Sequence, residues 1–101
     1  MEIKNITNAE KLPLNVDAWK LLNNDKIEII FINIPEYQYV EKHINPLDVI
    51  FYVIEGSGEL YIENNKFILS AGDCISVKKN LERTWKNHSA GILKILVIKI
   101  L

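Results

Sequence analysis

One stretch of the sequence, residues 49–54, constrains the fold more than any other. Its six residues, Val-Ile-Phe-Tyr-Val-Ile, are all apolar and all β-branched or aromatic, which is typical of a strand buried on both faces. A glycine-containing segment, residues 55–58, ends this run, and the alternating sequence of residues 59–62 follows it. The pattern predicts a β-hairpin at the centre of a core. Because neither face of its first strand is polar, other strands or a second subunit must cover it.

The composition is that of a single globular domain. A chain of 101 residues buries roughly 60–65% of the surface that its unfolded form exposes, so folding requires neither a metal nor a disulfide. The formal net charge of -1 and the dispersal of the eleven lysines argue against nucleic acid as a partner. No apolar run is long enough to cross a membrane, and Cys74 is the single cysteine. We therefore expect a cytoplasmic protein that binds neither nucleic acid nor membrane.

The rest of the sequence predicts many short strands separated by turns, and no helix. Strands are predicted at residues 18–22, 26–34, 37–44, 49–54, 59–62, 66–69, 74–77, 83–87 and 92–101. Residues 1–17 contain isolated apolar side chains without a period and are predicted to form an arm that lies on the body. Residues 18–101 then form one all-β domain, a sandwich or barrel.

Two motifs resemble those of the cupin family. Residues 43–46, His-Ile-Asn-Pro, with the strand that Gly56 closes, are similar to the first cupin motif, which has His-x-His, a Glu and a closing Gly. Residues 72–87 begin with Gly-Asp and contain Arg83 and Asn87, and they are similar to the second motif, Gly-Asp, a strand, Pro-x-Gly, His and Asn. The resemblance implies a double-stranded β-helix, the cupin jelly-roll barrel, here with an N-terminal arm.

The resemblance also implies a metal site that this sequence keeps only in part. Metal-dependent cupins hold their ion with two His and one Glu from the first motif and one His from the second. The corresponding residues here are His43, Asn45, Val49 and Arg83. One ligand of the four is retained, and a permanently charged guanidinium repels a cation. We therefore predict no metal and no other cofactor.

The same resemblance predicts which side chains share the barrel cavity. The metal-ligand positions converge in the cupin fold, so His43, Asn45 and Arg83 are expected to face one cavity. His43 is the candidate catalytic base, and Arg83 is the candidate anion-binding group. The further ligand-binding candidates are Asn45, Cys74, Ser76, Trp85 and Glu41.

Each candidate also has a structural interpretation. His43 has the alternative of a structural histidine at a strand end, Cys74 that of a small buried hydrophobe, and Trp85 that of a core residue. An ion pair between Arg83 and Glu41 would satisfy the guanidinium and close the pocket without a ligand.

The sequence leaves three classes of function open. The first is a small cupin-domain protein that binds a small anion, such as a carboxylate, a phosphate or a sugar-derived anion, in its barrel without a metal. The second is a metal-dependent cupin isomerase or dioxygenase, and the third is a non-catalytic dimeric sensor domain. The sequence does not decide whether the protein is an enzyme. Residues 49–54 and 92–101 are apolar on both faces and offer more apolar strand surface than one domain of this size can cover. The sequence therefore predicts a homodimer formed through one sheet and the arm.

Overall fold

The computed structural model describes residues 1–101 as ten β-strands in two antiparallel sheets, without a helix. The strands are β1 (Glu10–Lys11), β2 (Asp17–Asn23), β3 (Ile27–Ile34), β4 (His43–Ile44), β5 (Asp48–Glu55), β6 (Ser57–Ile62), β7 (Asn65–Ser70), β8 (Cys74–Val77), β9 (Glu82–Lys86) and β10 (Leu93–Ile100). A six-stranded sheet has the order β1-β2-β3-β10-β5-β8, and a four-stranded sheet has the order β4-β9-β6-β7. The all-β prediction is confirmed. No segment forms a helix with the length and apolarity needed to cross a bilayer.

The core lies between the two sheets and follows the two-residue period of the strands. In β3 the side chains of Ile30, Ile32 and Ile34 are buried, while the residues between them are partly exposed on the outer face. β5 and β10 repeat this alternation, and 16 buried hydrophobic residues form one cluster. Burying one such side chain fully stabilises the fold by about 1.5–3 kcal/mol.

The predicted hairpin of β5 and β6 is wrong, because these successive strands belong to different sheets. β5 pairs with β10 and β8, whereas β6 pairs with β7 and β9. Gly56, the one residue between them, has a φ of 87° and carries the chain from one sheet to the other. A Cβ at this position would lie 2.4 Å from the carbonyl oxygen of Ile92. The glycine therefore turns a corner of the barrel and does not reverse the chain.

The predicted strand at residues 37–44 is also wrong over most of its length. Only β4 and an isolated bridge between Tyr39 and Lys86 form there, and Tyr37 has a φ of 60°. The backbone finds other partners: Val40 N donates to the carbonyl of Trp85 at 2.9 Å. The side chain of Asn15 accepts from Glu41 N at 3.2 Å and donates to the carbonyl of Tyr39 at 2.6 Å. These hydrogen bonds give backbone groups of residues 39–41 partners without a regular strand pairing.

The first part of the chain folds back onto its own barrel. β1 pairs with β2 in an antiparallel register that sets Glu10 opposite Lys20, and Leu12 N donates to the carbonyl of Ala18 at 2.8 Å. Residues 12–15 then pass along one wall of the internal cavity. The apolar residues that have no period in the sequence thus include two cavity-lining side chains, Leu12 and Leu14.

Candidate functional site

A cavity of about 310 Å³ lies inside the barrel. Both sheets contribute to it, and so do the arm and the segment before β4. Its apolar wall includes Ile30, Ile32, Val49, Phe51 and Val97. Its polar side chains include Glu41, His43, Asn45, Arg83 and Lys99. The volume is at the lower end of the range of small-molecule pockets, which is about 300–1,000 Å³.

The pairing of β4 with β9 brings the two central polar candidates together. His43 is the register partner of Arg83, and directly opposed residues of antiparallel strands share a face of the sheet. Both side chains line the cavity, as does that of Asn45. The four positions that correspond to cupin metal ligands therefore meet at one cavity, with Val49 as the fourth.

Arg83 is a buried cation without a protein partner. Its relative exposure is 2%, and Nε and Nη1 have no hydrogen-bond acceptor. The carbon of its guanidinium lies 5.9 Å from the centroid of the Phe51 ring, an interaction that compensates only a small part of the lost hydration. Burial lowers the pKa of Arg83 below its ordinary value. The structural alternative of an ion pair with Glu41 is not formed: no carboxylate lies within 4.0 Å of this side chain.

His43 lies at the exposed rim of the cavity. Its Nδ1 is 3.3 Å from the carbonyl oxygen of Glu41. A carbonyl oxygen only accepts, so the tautomer that makes this hydrogen bond carries its proton on Nδ1 and leaves Nε2 as an acceptor. The side chain of Glu41 is exposed beside it and also lines the cavity. This arrangement gives the rim one proton acceptor near the guanidinium.

Asn45 is buried, and its hydrogen bonds fix its orientation. Its Oδ1 accepts from Leu47 N at 3.0 Å, and its backbone carbonyl accepts from Asn80 N at 2.8 Å. The oxygen is therefore occupied within the turn between β4 and β5. The amide nitrogen is the end of the side chain that remains to donate to a ligand.

Trp85 is at once a core residue and a wall of the cavity. It follows Arg83 by two residues in β9, so both side chains point into the barrel. Its ring packs edge-on against Phe51 with a centroid distance of 5.5 Å and an interplanar angle of 86°. Its Nε1 is buried and has no acceptor. A residue of the cavity wall thus carries a second buried donor without a partner.

The predicted placement of Cys74 and Ser76 on the cavity face is wrong. In the pairing of β8 with β5, Cys74 is opposite Tyr52 and Ser76 is opposite Ile50, and all four side chains lie on the outer face. Cys74 and Ser76 are exposed, while Val77 is buried. The apolar residues of β8 face inward: Val77 is buried opposite Val49 of β5, and Ile75 packs against the core. Neither Cys74 nor Ser76 lines the cavity.

Four polar cavity residues were not among the predicted site residues: Asn15, Lys42, Thr84 and Lys99. Asn15 belongs to the arm, and its side chain joins the arm to the segment before β4. Lys99 belongs to β10, and its Nζ lies 3.6 Å from a carboxylate oxygen of Glu28. Two-residue alternation with Val97 indicates that Lys99 points inward, whereas nothing in the sequence indicates the position of Asn15.

The residues present do not fit a transition-metal ion. No group of three or more His, Cys, Asp or Glu side chains is placed so that it could hold one. At the positions that correspond to cupin metal ligands the only metal-binding side chain is His43, and the partnerless guanidinium of Arg83 lies on the same face. A cation at this point would be repelled by a fixed positive charge and would lack donors.

The comparisons with known proteins agree with the architecture. A family model described as "Cupin domain" matches residues 30–99. An RmlC-like cupin family protein with a double-stranded β-helix fold from Methanocaldococcus jannaschii superposes with a TM-score of 0.83 at 22% identity, covering 99% of this chain and 89% of that chain. No curated protein matches the sequence.

Other solved structures with the same fold have diverse descriptions. A predicted oxalate decarboxylase from Thermotoga maritima superposes with a TM-score of 0.84 at 18% identity, covering 100% of this chain and 99% of that chain. A polyketide cyclase from Streptomyces resistomycificus superposes with a TM-score of 0.83 at 14% identity, covering 99% of this chain and 79% of that chain. At these identities the similarity is one of fold. The match of the family model over most of the sequence, on a double-stranded β-helix, shows that the chain belongs to the cupin family.

Proposed function

We propose that this cupin-domain protein binds a small anion in its barrel without a metal, with Arg83 as the anion-binding group. The observation that carries the proposal is the buried guanidinium without a protein acceptor. Burying a charge without a partner destabilises a protein by roughly several kcal/mol. The planar guanidinium of Arg83 carries N–H donors in a fixed geometry that matches two oxygens of a carboxylate or of a phosphate group.

The neighbouring groups support the same function. The amide nitrogen of Asn45 is free to donate, and the apolar wall with Phe51 lowers the local dielectric constant, which would strengthen a charged hydrogen bond. His43, with Nε2 as an acceptor, is the group that would receive a proton from a bound molecule. A catalytic role for His43 depends on anion binding at Arg83, so binding is the property to test first.

The test uses the fact that the chain has a single arginine. In protein labelled with nitrogen-15, one side-chain Nε–H resonance reports on Arg83 alone. Titration with acetate or inorganic phosphate should move this resonance and saturate, together with the backbone amides of Val49 and Phe51. EDTA should leave the binding curve unchanged. A curve that disappears with EDTA would contradict the metal-free part of the proposal.

Two variants with the same net charge separate a site from a general charge effect. Arg83→Met should weaken anion binding at least about tenfold, because a charged hydrogen bond contributes about 1.5–3 kcal/mol. Lys26→Met removes an exposed positive charge from the β2–β3 turn, outside the cavity, and should bind like the wild type. Equal binding by wild type and Arg83→Met would end the proposal.

A further inference from the structure

The charges around the cavity favour a ligand with one negative charge. Two lysines line the cavity, and both have carboxylate partners: Lys42 lies 3.8 Å from Glu82, and Lys99 lies 3.6 Å from Glu28. Arg83 is the one lining lysine or arginine without such a partner. A second negative charge on the ligand would meet no free cation and would approach the exposed carboxylate of Glu41.

The buried hydrogen-bonding groups of the cavity, as distinct from those of its rim, favour a ligand that accepts but does not donate. Arg83 and Trp85 both carry buried donors without acceptors. The side-chain hydrogen bonds of Asn45 and Thr84 are made within the protein: Oδ1 of Asn45 accepts from Leu47 N, and the Thr84 hydroxyl donates to the carbonyl of Val40. The free acceptors, His43 Nε2 and the Glu41 carboxylate, belong to the exposed rim and not to the apolar wall. Hydroxyl groups of a sugar or sugar acid that lie against the apolar wall would therefore have no acceptors for their protons, which is unfavourable in a buried site.

The remaining wall favours an apolar body. Ile30, Ile32, Phe51 and Val97 come from three neighbouring strands of the six-stranded sheet and present only carbon to the cavity. A volume of about 310 Å³ corresponds to about ten water molecules at roughly 30 Å³ each, so the body is short. Each methylene placed against this wall adds about fourfold in affinity.

We propose that the preferred ligand is a short-chain monocarboxylate, held by its carboxylate at Arg83 and at Trp85 Nε1, with its alkyl chain against the apolar wall. This inference rests on the anion-binding function proposed above. It names the chemical class of the ligand and a specificity-determining residue, Trp85. Dicarboxylates, phosphate and hydroxylated acids bind more weakly, because of their additional charge or their unsatisfied donors.

The test is a titration series read from the Arg83 Nε–H and Trp85 Nε1–H resonances. Affinity should rise about fourfold for each methylene from acetate to pentanoate. Two acids differ from pentanoate only at the last carbon: 4-hydroxybutyrate has a hydroxyl there and glutarate a second carboxylate. Both should bind at least about tenfold more weakly than pentanoate, because each buries a polar group without a partner.

Trp85→Phe keeps an aromatic wall and removes the Nε1 donor. This variant should weaken all monocarboxylates by one common factor, about tenfold, and should keep the increment per methylene. Unchanged affinity would remove Trp85 from the ligand site. The backbone amide spectrum of the Trp85→Phe variant verifies that its barrel is folded before affinities are compared.

The failures of the two proposals are distinguishable. If glutarate or phosphate binds as tightly as pentanoate, and Arg83→Met still abolishes binding, the monocarboxylate class is wrong and the anion site stands. If no anion moves the Arg83 resonance, the proposed function fails and this inference fails with it.

Discussion

The side-chain amide of Asn87 donates to the backbone carbonyl of Ile34, 53 residues earlier in the chain, at 3.0 Å. The same nitrogen lies 3.2 Å from the carbonyl of Pro35 and 2.8 Å from that of Gly91. Oδ1 accepts from Ser89 N at 3.0 Å. Asn87 is completely buried, so one side chain satisfies the backbone at the end of β3 and in the loop before β10.

Replacement of this side chain should destabilise the barrel strongly. Asn87→Ala removes the donor that reaches the buried carbonyl of Ile34 and the carbonyls of Pro35 and Gly91. The expected loss in the free energy of unfolding is about 2–4 kcal/mol. Urea unfolding at neutral pH measures it. Asn23→Ala, at the exposed end of β2, should stay within about 0.5 kcal/mol of the wild type. If Asn87→Ala were no less stable than Asn23→Ala, the role of Asn87 in joining these segments would be contradicted.

Removal of the buried charge should have the opposite effect. Arg83→Met replaces a partnerless guanidinium by an apolar side chain of similar length, and we expect the free energy of unfolding to rise by about 1–4 kcal/mol. Thermal unfolding should shift upward by about 4–8 °C for each kcal/mol in a domain of this size. A variant that is less stable than the wild type would show that Arg83 has a structural partner in solution.

The outer face of the four-stranded sheet carries an ionic cluster centred on Glu59. Its carboxylate lies 3.1 Å from Lys66 Nζ, 3.2 Å from the Tyr61 hydroxyl and 2.5 Å from His88 Nδ1. The hydrogen bond from Lys66 is the largest cause that lowers the pKa of Glu59 below its ordinary value of 4.5, and partial burial opposes it. A carboxyl whose pKa is lowered in the folded state stabilises the fold at pH values above its ordinary pKa. This contribution is lost as the pH falls through the folded-state pKa.

Acidification should therefore separate the wild type from a Glu59→Gln variant. Below pH 4.5 the melting temperature of the wild type should fall more steeply with pH than that of Glu59→Gln, because only the wild type loses the ionised form. Melting curves between about pH 3 and pH 7 measure the difference, across the usual range of glutamate titration. Glu36→Gln alters an exposed carboxylate without an ion pair and should follow the wild type. Parallel curves for wild type and Glu59→Gln would contradict the effect of the cluster.

The sequence predicted the strands well and their partners less well. Residues 49–54 form a strand because all six side chains are β-branched or aromatic, and residues 74–77 form one in which Ile75 and Val77 alternate with polar or small side chains. The hairpin was wrong because alternation does not distinguish a reversal at Gly56 from a crossing between sheets. The inward face of β8 was misassigned because alternation shows only that Cys74 and Ser76 share a face, and the resemblance was used to choose which face is inward.

The unpaired state of Arg83 was left open for a related reason. The sequence indicates that Glu41 and Arg83 lie near one cavity, but the path between β3 and β4 decides whether they meet. That path depends on Asn15, which is 26 residues before Glu41 and is joined to it by one hydrogen bond. Contacts of this range do not appear in any local pattern.

The outer face of the six-stranded sheet is expected to bind a second copy of the chain. The central strands are apolar on this side too, and Tyr52 and Ile54 of β5 are 40% and 44% exposed. We expect a homodimer at micromolar concentration, and Tyr52→Glu should shift it toward monomer, because the change would bury a charge in the interface. Sedimentation velocity measures the shift. Ile68→Glu, on the outer face of the four-stranded sheet, should leave the dimer intact, and a wild-type monomer would refute the interface.

The wall of the cavity begins at Leu12 and ends at Lys99, so it draws on nearly the whole sequence. Any partly folded species that lacks β10 or the arm has no cavity. A molecule that fills it therefore binds the native state alone and opposes unfolding by mass action. At a free concentration one hundred times its dissociation constant this coupling amounts to about 2.7 kcal/mol. Occupancy of the barrel would then lengthen the lifetime of the protein against proteolysis.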